Sequence, residues 1–139
     1  MLERITHIPI ALFGCPLGLL GLTLAILHVE TSERFPHVAG GLLLTITIVV
    51  FTLLLVAYGI KAFRVPSSAW SDWSHPVRSN FFAVISGTFV LLGLALLPFS
   101  VEVARPIWVV GATTHLAVTL GIVAKVSDPS SPWLQATIC

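Results

Sequence analysis

Residues 38–60 read "VAGGLLLTITIVVFTLLLVAYGI", 23 positions without one charged side chain. A bilayer's hydrocarbon core is about 30 Å thick, and a helix rising 1.5 Å per residue crosses it with about 20 apolar residues. Three more uncharged runs of similar length flank this one: residues 8–27 ("IPIALFGCPLGLLGLTLAIL"), 81–101 ("FFAVISGTFVLLGLALLPFSV") and 107–124 ("IWVVGATTHLAVTLGIVA"). In lipid every backbone N–H and C=O must be paired internally, which leaves helices or closed barrels. A membrane strand would take only about ten residues of alternating polarity, and none of the four runs alternates. The predicted fold class is all-α integral membrane, with four transmembrane helices. Short charge-bearing connections make neighbouring helices antiparallel, so they form two hairpins. The membrane domain is expected over residues 1–125. A Ser/Pro-containing tail, residues 126–139, is expected to be disordered.

The composition excludes a water-soluble alternative. Of 139 residues 56% are apolar and 9% charged, against about 25% charged in soluble domains. A net charge of +1 and scattered Lys and Arg give no basic face for a nucleic acid. No A-x-A-like cleavage site follows the N-terminal "MLERITHIPIALFG", and its apolar stretch is longer than a signal-peptide core of about 7–15 residues, which predicts a retained helix and not a cleaved leader. Cys15 lies inside an apolar run and Cys139 far from it, so Cys15 is expected to act as a small packing residue and no disulfide is expected.

Lys and Arg in short loops set orientation. Arg4, Lys61, Arg64, Arg78 and Lys125 fall on one side, Arg34 and Arg105 on the other. Both termini are therefore expected in the cytoplasm, in the inner (plasma) membrane. Trp70, Trp73, Trp108 and Trp133 lie near run ends, as interfacial anchors do.

Two helices carry unusual patterns. In the first, Gly14, Gly18, Gly21 and Ala25 are spaced four, three and four apart and fall on one stripe, the kind that lets helices approach closely. Pro16 lies beside them and removes a hydrogen bond to the carbonyl of Leu12, which predicts a bend. Freed carbonyls at membrane depth are tolerated only inside protein or beside water, so the Gly-Pro-Gly segment is a candidate pore lining. In the fourth, Gly111, His115 and Thr119 recur every four residues. His115 is either a functional intramembrane histidine or one satisfied by Thr119 or by a carbonyl one turn back. Haem ligation needs paired histidines at one depth, and of the five histidines only His115 is central, so haem is a minor alternative. No carboxylate lies inside a span, and no G-x-S-x-G, H-E-x-x-H or P-loop occurs, so no enzyme, metal or cofactor is expected.

"SHPVRSNFF", residues 74–82, places Pro76 and Arg78 before the third run. Proline suits the first turn of a helix. A cation there is either a positive-inside anchor or a lure for anions.

Together with "FGCPLGLLGLTLAILHVE", residues 13–30, and "IWVVGATTHLAVTL", residues 107–120, this motif resembles the tellurite-resistance/dicarboxylate transporter family. That family includes bacterial tellurite-resistance channels, four-carbon dicarboxylate and malate transporters, and plant slow anion channels. The resemblance implies a ten-helix fold of five hairpins around a pore, with the first helix of each hairpin lining it, and trimers in bacterial members. Phe13, Gly14, Pro16, Gly18, Ser86 and Gly87 would line the pore. His75 and Arg78 would form an anion-attracting mouth, and Gly21, Ala25, Gly111, His115 and Thr119 would serve helix packing. Ser86 stands where many members have a helix-bending proline. The expected function is passage of small anions (four-carbon dicarboxylate, malate or an oxyanion) across a lipid bilayer, without covalent chemistry. Four helices of ten suggest a shortened or frame-disrupted member, and a non-conducting structural membrane protein is the alternative.

Overall fold

The computed structural model describes residues 10–128. The N-terminal nine residues and residues 129–139, with Arg4, Trp133, Cys139 and most of the expected tail, lie outside them. A 3-10 turn, Ile10–Phe13, leads into α1 (Gly14–Ser32). There follow α2 (Val38–Arg64), a short α3 (Pro66–Ser74), α4 (Pro76–Leu96) and α5 (Val101–Ser127). Among the described residues four helices are long and apolar enough to cross a membrane. The packing makes two hairpins, α1 with α2 and α4 with α5, and α1 also lies against α4.

Helix ends differ from the apolar runs because capping groups set them. The second run continues to Arg64, since Lys61 and Arg64 in the last turn complement the negative end of the helix dipole. Pro66 then opens α3 at its first turn, where the sequence suggested only a connecting loop. Helix α4 starts at Pro76, well before the apolar run. It stops at Leu96 because Pro98 excludes the helical conformation for the residue before it. Helix α5 begins at Val101 and not at 107: Ser100 caps it, its hydroxyl accepting from the Val103 N–H at 3.5 Å, and Glu102 stands in the first turn. Pro106 is thereby carried inside the helix. The expected mid-helix bend at Pro16 is instead a change of helix type. The 3-10 turn ends at Phe13, and Pro16 falls in the first turn of α1, where its missing N–H has no intrahelical acceptor to lose.

The α1–α2 seam follows a heptad. Phe13, Pro16, Leu20, Thr23, Leu27 and Glu30 are buried along α1, at alternating spacings of three and four that keep one stripe facing a partner. On α2 the matching stripe runs through Gly40, Leu44, Thr47, Phe51, Tyr58 and Lys61. The buried hydroxyls satisfy themselves: Thr23 donates to the Leu19 carbonyl and Thr47 to the Leu43 carbonyl, each at 2.8 Å. Edge-to-face rings tie the seam to α4. Phe13 meets Phe51 at 6.1 Å and Tyr58 at 5.9 Å between centroids, and Phe51 meets Phe89 at 5.0 Å.

Two polar devices close the first hairpin. The Phe35 N–H donates to the Glu30 carbonyl at 2.8 Å and the Arg34 N–H to the Thr31 carbonyl at 3.4 Å, the pairing of a Schellman stop. Arg34 takes the left-handed position that usually falls to glycine, with φ 56°. The Glu30 carboxylate accepts from the Ala39 N–H at 2.9 Å and the Gly40 N–H at 3.2 Å, capping the positive end of α2. At Gly40 a side chain would come within 2.7 Å of that carboxylate.

The second hairpin depends on close backbone approach. A Cβ on Gly93 would sit 2.8 Å from the Trp108 backbone, and one on Gly111 2.7 Å from the Val90 nitrogen. Gly93→Ala should therefore push α4 and α5 apart and destabilise by about 1–3 kcal/mol. Gly59→Ala, whose Cβ meets nothing within 4 Å, should instead stabilise by about 0.5–1 kcal/mol. Arg34→Gly should stabilise by about 1 kcal/mol by removing the left-handed penalty. Reversible unfolding in mixed detergent checks all three.

Candidate functional site

The connection between the hairpins is a folded lid of charge. Asp72, near the end of α3, is only 4% exposed. Its Oδ2 accepts from Lys61 Nζ at 3.0 Å and from the Tyr58 hydroxyl at 3.4 Å, and its Oδ1 accepts from Arg78 Nη1 at 3.1 Å. Lys61 comes from the last turn of α2 and Arg78 from the first turn of α4, so one carboxylate joins the two hairpins. Lys61 is buried, whereas the Arg78 side chain is 53% exposed. Next to Asp72, the Trp73 carbonyl accepts from Lys125 Nζ at 3.0 Å, and the same ammonium lies 3.7 Å from the Trp73 ring centroid, a cation–π contact. Three of the five cations expected on this face thus converge on two consecutive residues of α3. His75, the other member of the expected mouth, is exposed at the C-cap of α3.

From the sequence, Asp72 is one of the carboxylates that lie outside the four apolar runs. Its partners lie eleven residues before and six after it, across two helix boundaries, so no fixed spacing announced them. The available signal was Pro66, a helix opener at the start of "PSSAWSDWS".

The intramembrane histidine is satisfied across the hairpin, not along its own helix. His115 Nδ1 lies 3.0 Å from Ser86 Oγ and 3.2 Å from the Ala83 carbonyl. Ser86 Oγ in turn donates to the carbonyls of Phe82 or Ala83, at 3.2 and 3.0 Å. The arrangement is consistent when Nδ1 carries the proton and donates, leaving Nε2 as the acceptor. Thr119 is exposed and Gly111 is the close-contact point with α4. Ser86, 2% exposed, and Gly87, whose Cβ would lie 3.8 Å from the His115 ring, face α5. Both residues thus take part in the contact between α4 and α5. Helix α4 runs through both residues without a break.

On α1 the expected lining residues separate into two faces. Phe13 and Pro16 are fully buried in the seam. Gly14, Gly18, Gly21 and Ala25 are exposed, and a Cβ on any of the three glycines would meet nothing within 4 Å. At 100° per residue the small-residue stripe lies about 150° around the helix from the seam. The close helix approach expected at Gly21 and Ala25 is therefore not made among the described residues; the large-residue heptad takes that role. Cys15, expected to pack, is also exposed.

Apolar helices paired in two hairpins, with cations gathered at one membrane face, define an integral membrane protein whose polar groups serve helix ends and crossings. Among the described residues no group of three or more His, Cys, Asp or Glu side chains could hold a metal. The family model for the voltage-dependent anion channel, SLAC1, matches residues 7–137, and the chain belongs to that family. It is also similar to the tellurite resistance protein TehA homolog of Haemophilus influenzae, 30% identical over 86 residues, which cover 62% of this chain and 26% of that protein. The matched part is thus about a quarter of that relative's length. No solved structure gives a significant match.

The Asp72 cluster predicts unequal substitutions. Removing one partner of a buried pair strands the other, so Asp72→Ala should destabilise by about 3–5 kcal/mol. Arg78→Gln, at the exposed side, should cost no more than about 1 kcal/mol. Denaturant unfolding in detergent, followed by tryptophan fluorescence, distinguishes the two.

Proposed function

We propose that this chain supplies two hairpins of an anion-conducting membrane unit, which passes small anions such as four-carbon dicarboxylates, malate or oxyanions. Membership of the anion channel family carries this reading. The open stripe of Gly14, Gly18 and Gly21 supports it, because a face without side chains leaves room for a lumen. The mouth supports it as well: Lys61, Arg78 and Asp72 together carry one net positive charge, and Arg78 presents it to solvent. A cation at a pore entrance raises the local anion concentration. His75 flanks it.

In this reading both termini face the cytoplasm, in the inner membrane, and the wall of the pore is completed by further hairpins or by other copies, in a trimer as the resemblance implies. Passage needs no cofactor and no catalytic group. A non-conducting membrane protein is the second reading, in which the same open face of α1 simply meets lipid.

Anion flux into liposomes holding the purified chain tests the proposal. Arg78→Ala takes the mouth from +1 to neutral. At about 4 Å in water one unit charge contributes ~1 kcal/mol, so flux at low anion concentration should fall about fivefold and the difference should vanish at high salt. Absence of flux from every oligomer, in vesicles shown to contain folded protein, would assign the chain to the second reading.

A further inference from the structure

At the membrane face opposite the Asp72 cluster, a groove of about 230 Å³ opens between the end of α4 and the start of α5, lined by Gly93, Leu94, Leu97, Val101, Arg105 and Trp108. All but one of these are apolar. Arg105 makes no ion pair among the described residues, and Glu102, the other charge at this helix start, is not part of the lining. Helix α5 starts at Val101, so Arg105 lies about 6 Å into it, with Trp108 one turn deeper. That is the depth at which aromatic anchors meet headgroups and long basic side chains reach toward phosphates. Gly93 contributes through what it lacks: the Trp108 backbone seats against it, and Trp108 is part of the groove's lining.

We propose that this groove holds one anionic glycerophospholipid, with the headgroup phosphate on Arg105 and an acyl chain along Leu94, Leu97 and Trp108. The two chemistries select an amphiphile. A free inorganic anion would leave the apolar walls unfilled. A protein helix would bury the guanidinium without a counter-ion unless it brought a carboxylate to this depth. A phospholipid from the surrounding bilayer supplies both halves, and the unpaired charge favours a net negative headgroup.

Native mass spectrometry of the detergent-purified full chain tests this, with phosphatidylglycerol and phosphatidylcholine of identical acyl chains. One phosphatidylglycerol should bind in preference to phosphatidylcholine. Losing a charge-assisted contact should raise its Kd about tenfold or more in Arg105→Gln. Leu97→Trp, which fills the groove and keeps the charge, should weaken binding as well. Arg34→Asn, which removes a cation from the same face outside the groove, should leave it unchanged. On the unmodified chain, phosphatidylglycerol brominated on its acyl chain should quench tryptophan fluorescence, and unbrominated phosphatidylglycerol should reverse the quenching. Equal binding of the two lipids, equal weakening by Arg34→Asn, or displacement by inorganic phosphate would overturn the proposal. So would a dimer that Arg105→Gln dissolves and lipid does not compete away, which would make the groove a protein interface.

Discussion

Hydrocarbon offers no hydrogen bonds, and the rest of this structure follows from that. Each span must pair its own backbone, so each is a helix. The buried threonine hydroxyls inside the spans find carbonyls: Thr23, Thr47 and Thr88 each donate to the carbonyl four residues back. His115, in the middle of its span, reaches across to Ser86 and Ala83. Charges survive only at helix ends, and there they are used: Glu30 caps α2, and Asp72 gathers Lys61 and Arg78.

The four spans were legible because an uncharged run of about 20 residues has few other readings. Their limits were not, because apolarity marks where lipid is and capping marks where a helix stops. Arg34 in a left-handed stop, Ser100 at an N-cap and Pro76 at a first turn each move a boundary into polar sequence. Gly111 stood out in the sequence through its four-residue spacing to His115 and Thr119. Its counterpart Gly93 did not, since it belongs to no repeat and acquires its role only from the Trp108 backbone on another helix.

The small-residue stripe on α1 shows why packing rules for membranes need a partner before they decide. Gly14, Gly18, Gly21 and Ala25 satisfy the small-residue spacing as well as Phe13, Leu20 and Leu27 satisfy the heptad. Close glycine contact gains dispersion energy only where a second backbone arrives, and none arrives there among the described residues. Edge-to-face contacts of Phe13 with Phe51 and Tyr58 are available at once, each worth about 0.5–1.5 kcal/mol beyond area burial. The larger side chains therefore set the seam, and the glycines are left to face outward.

That division has a consequence for the charged end. The seam carries Tyr58 and Lys61 to the same buried end of α2, so the heptad that packs α1 on α2 also places the ammonium that Asp72 needs. Asp72 in turn holds Arg78, with half of its side chain in solvent. A lone Arg at this point would be a mobile surface charge. Paired through one oxygen with a carboxylate whose other oxygen is committed to Lys61, it is a fixed one. Fixing costs part of the field, since Asp72 cancels one of the two cations. It gains position: a net single charge held at the junction of the two hairpins, by groups whose own geometry is set by helix packing more than a turn away.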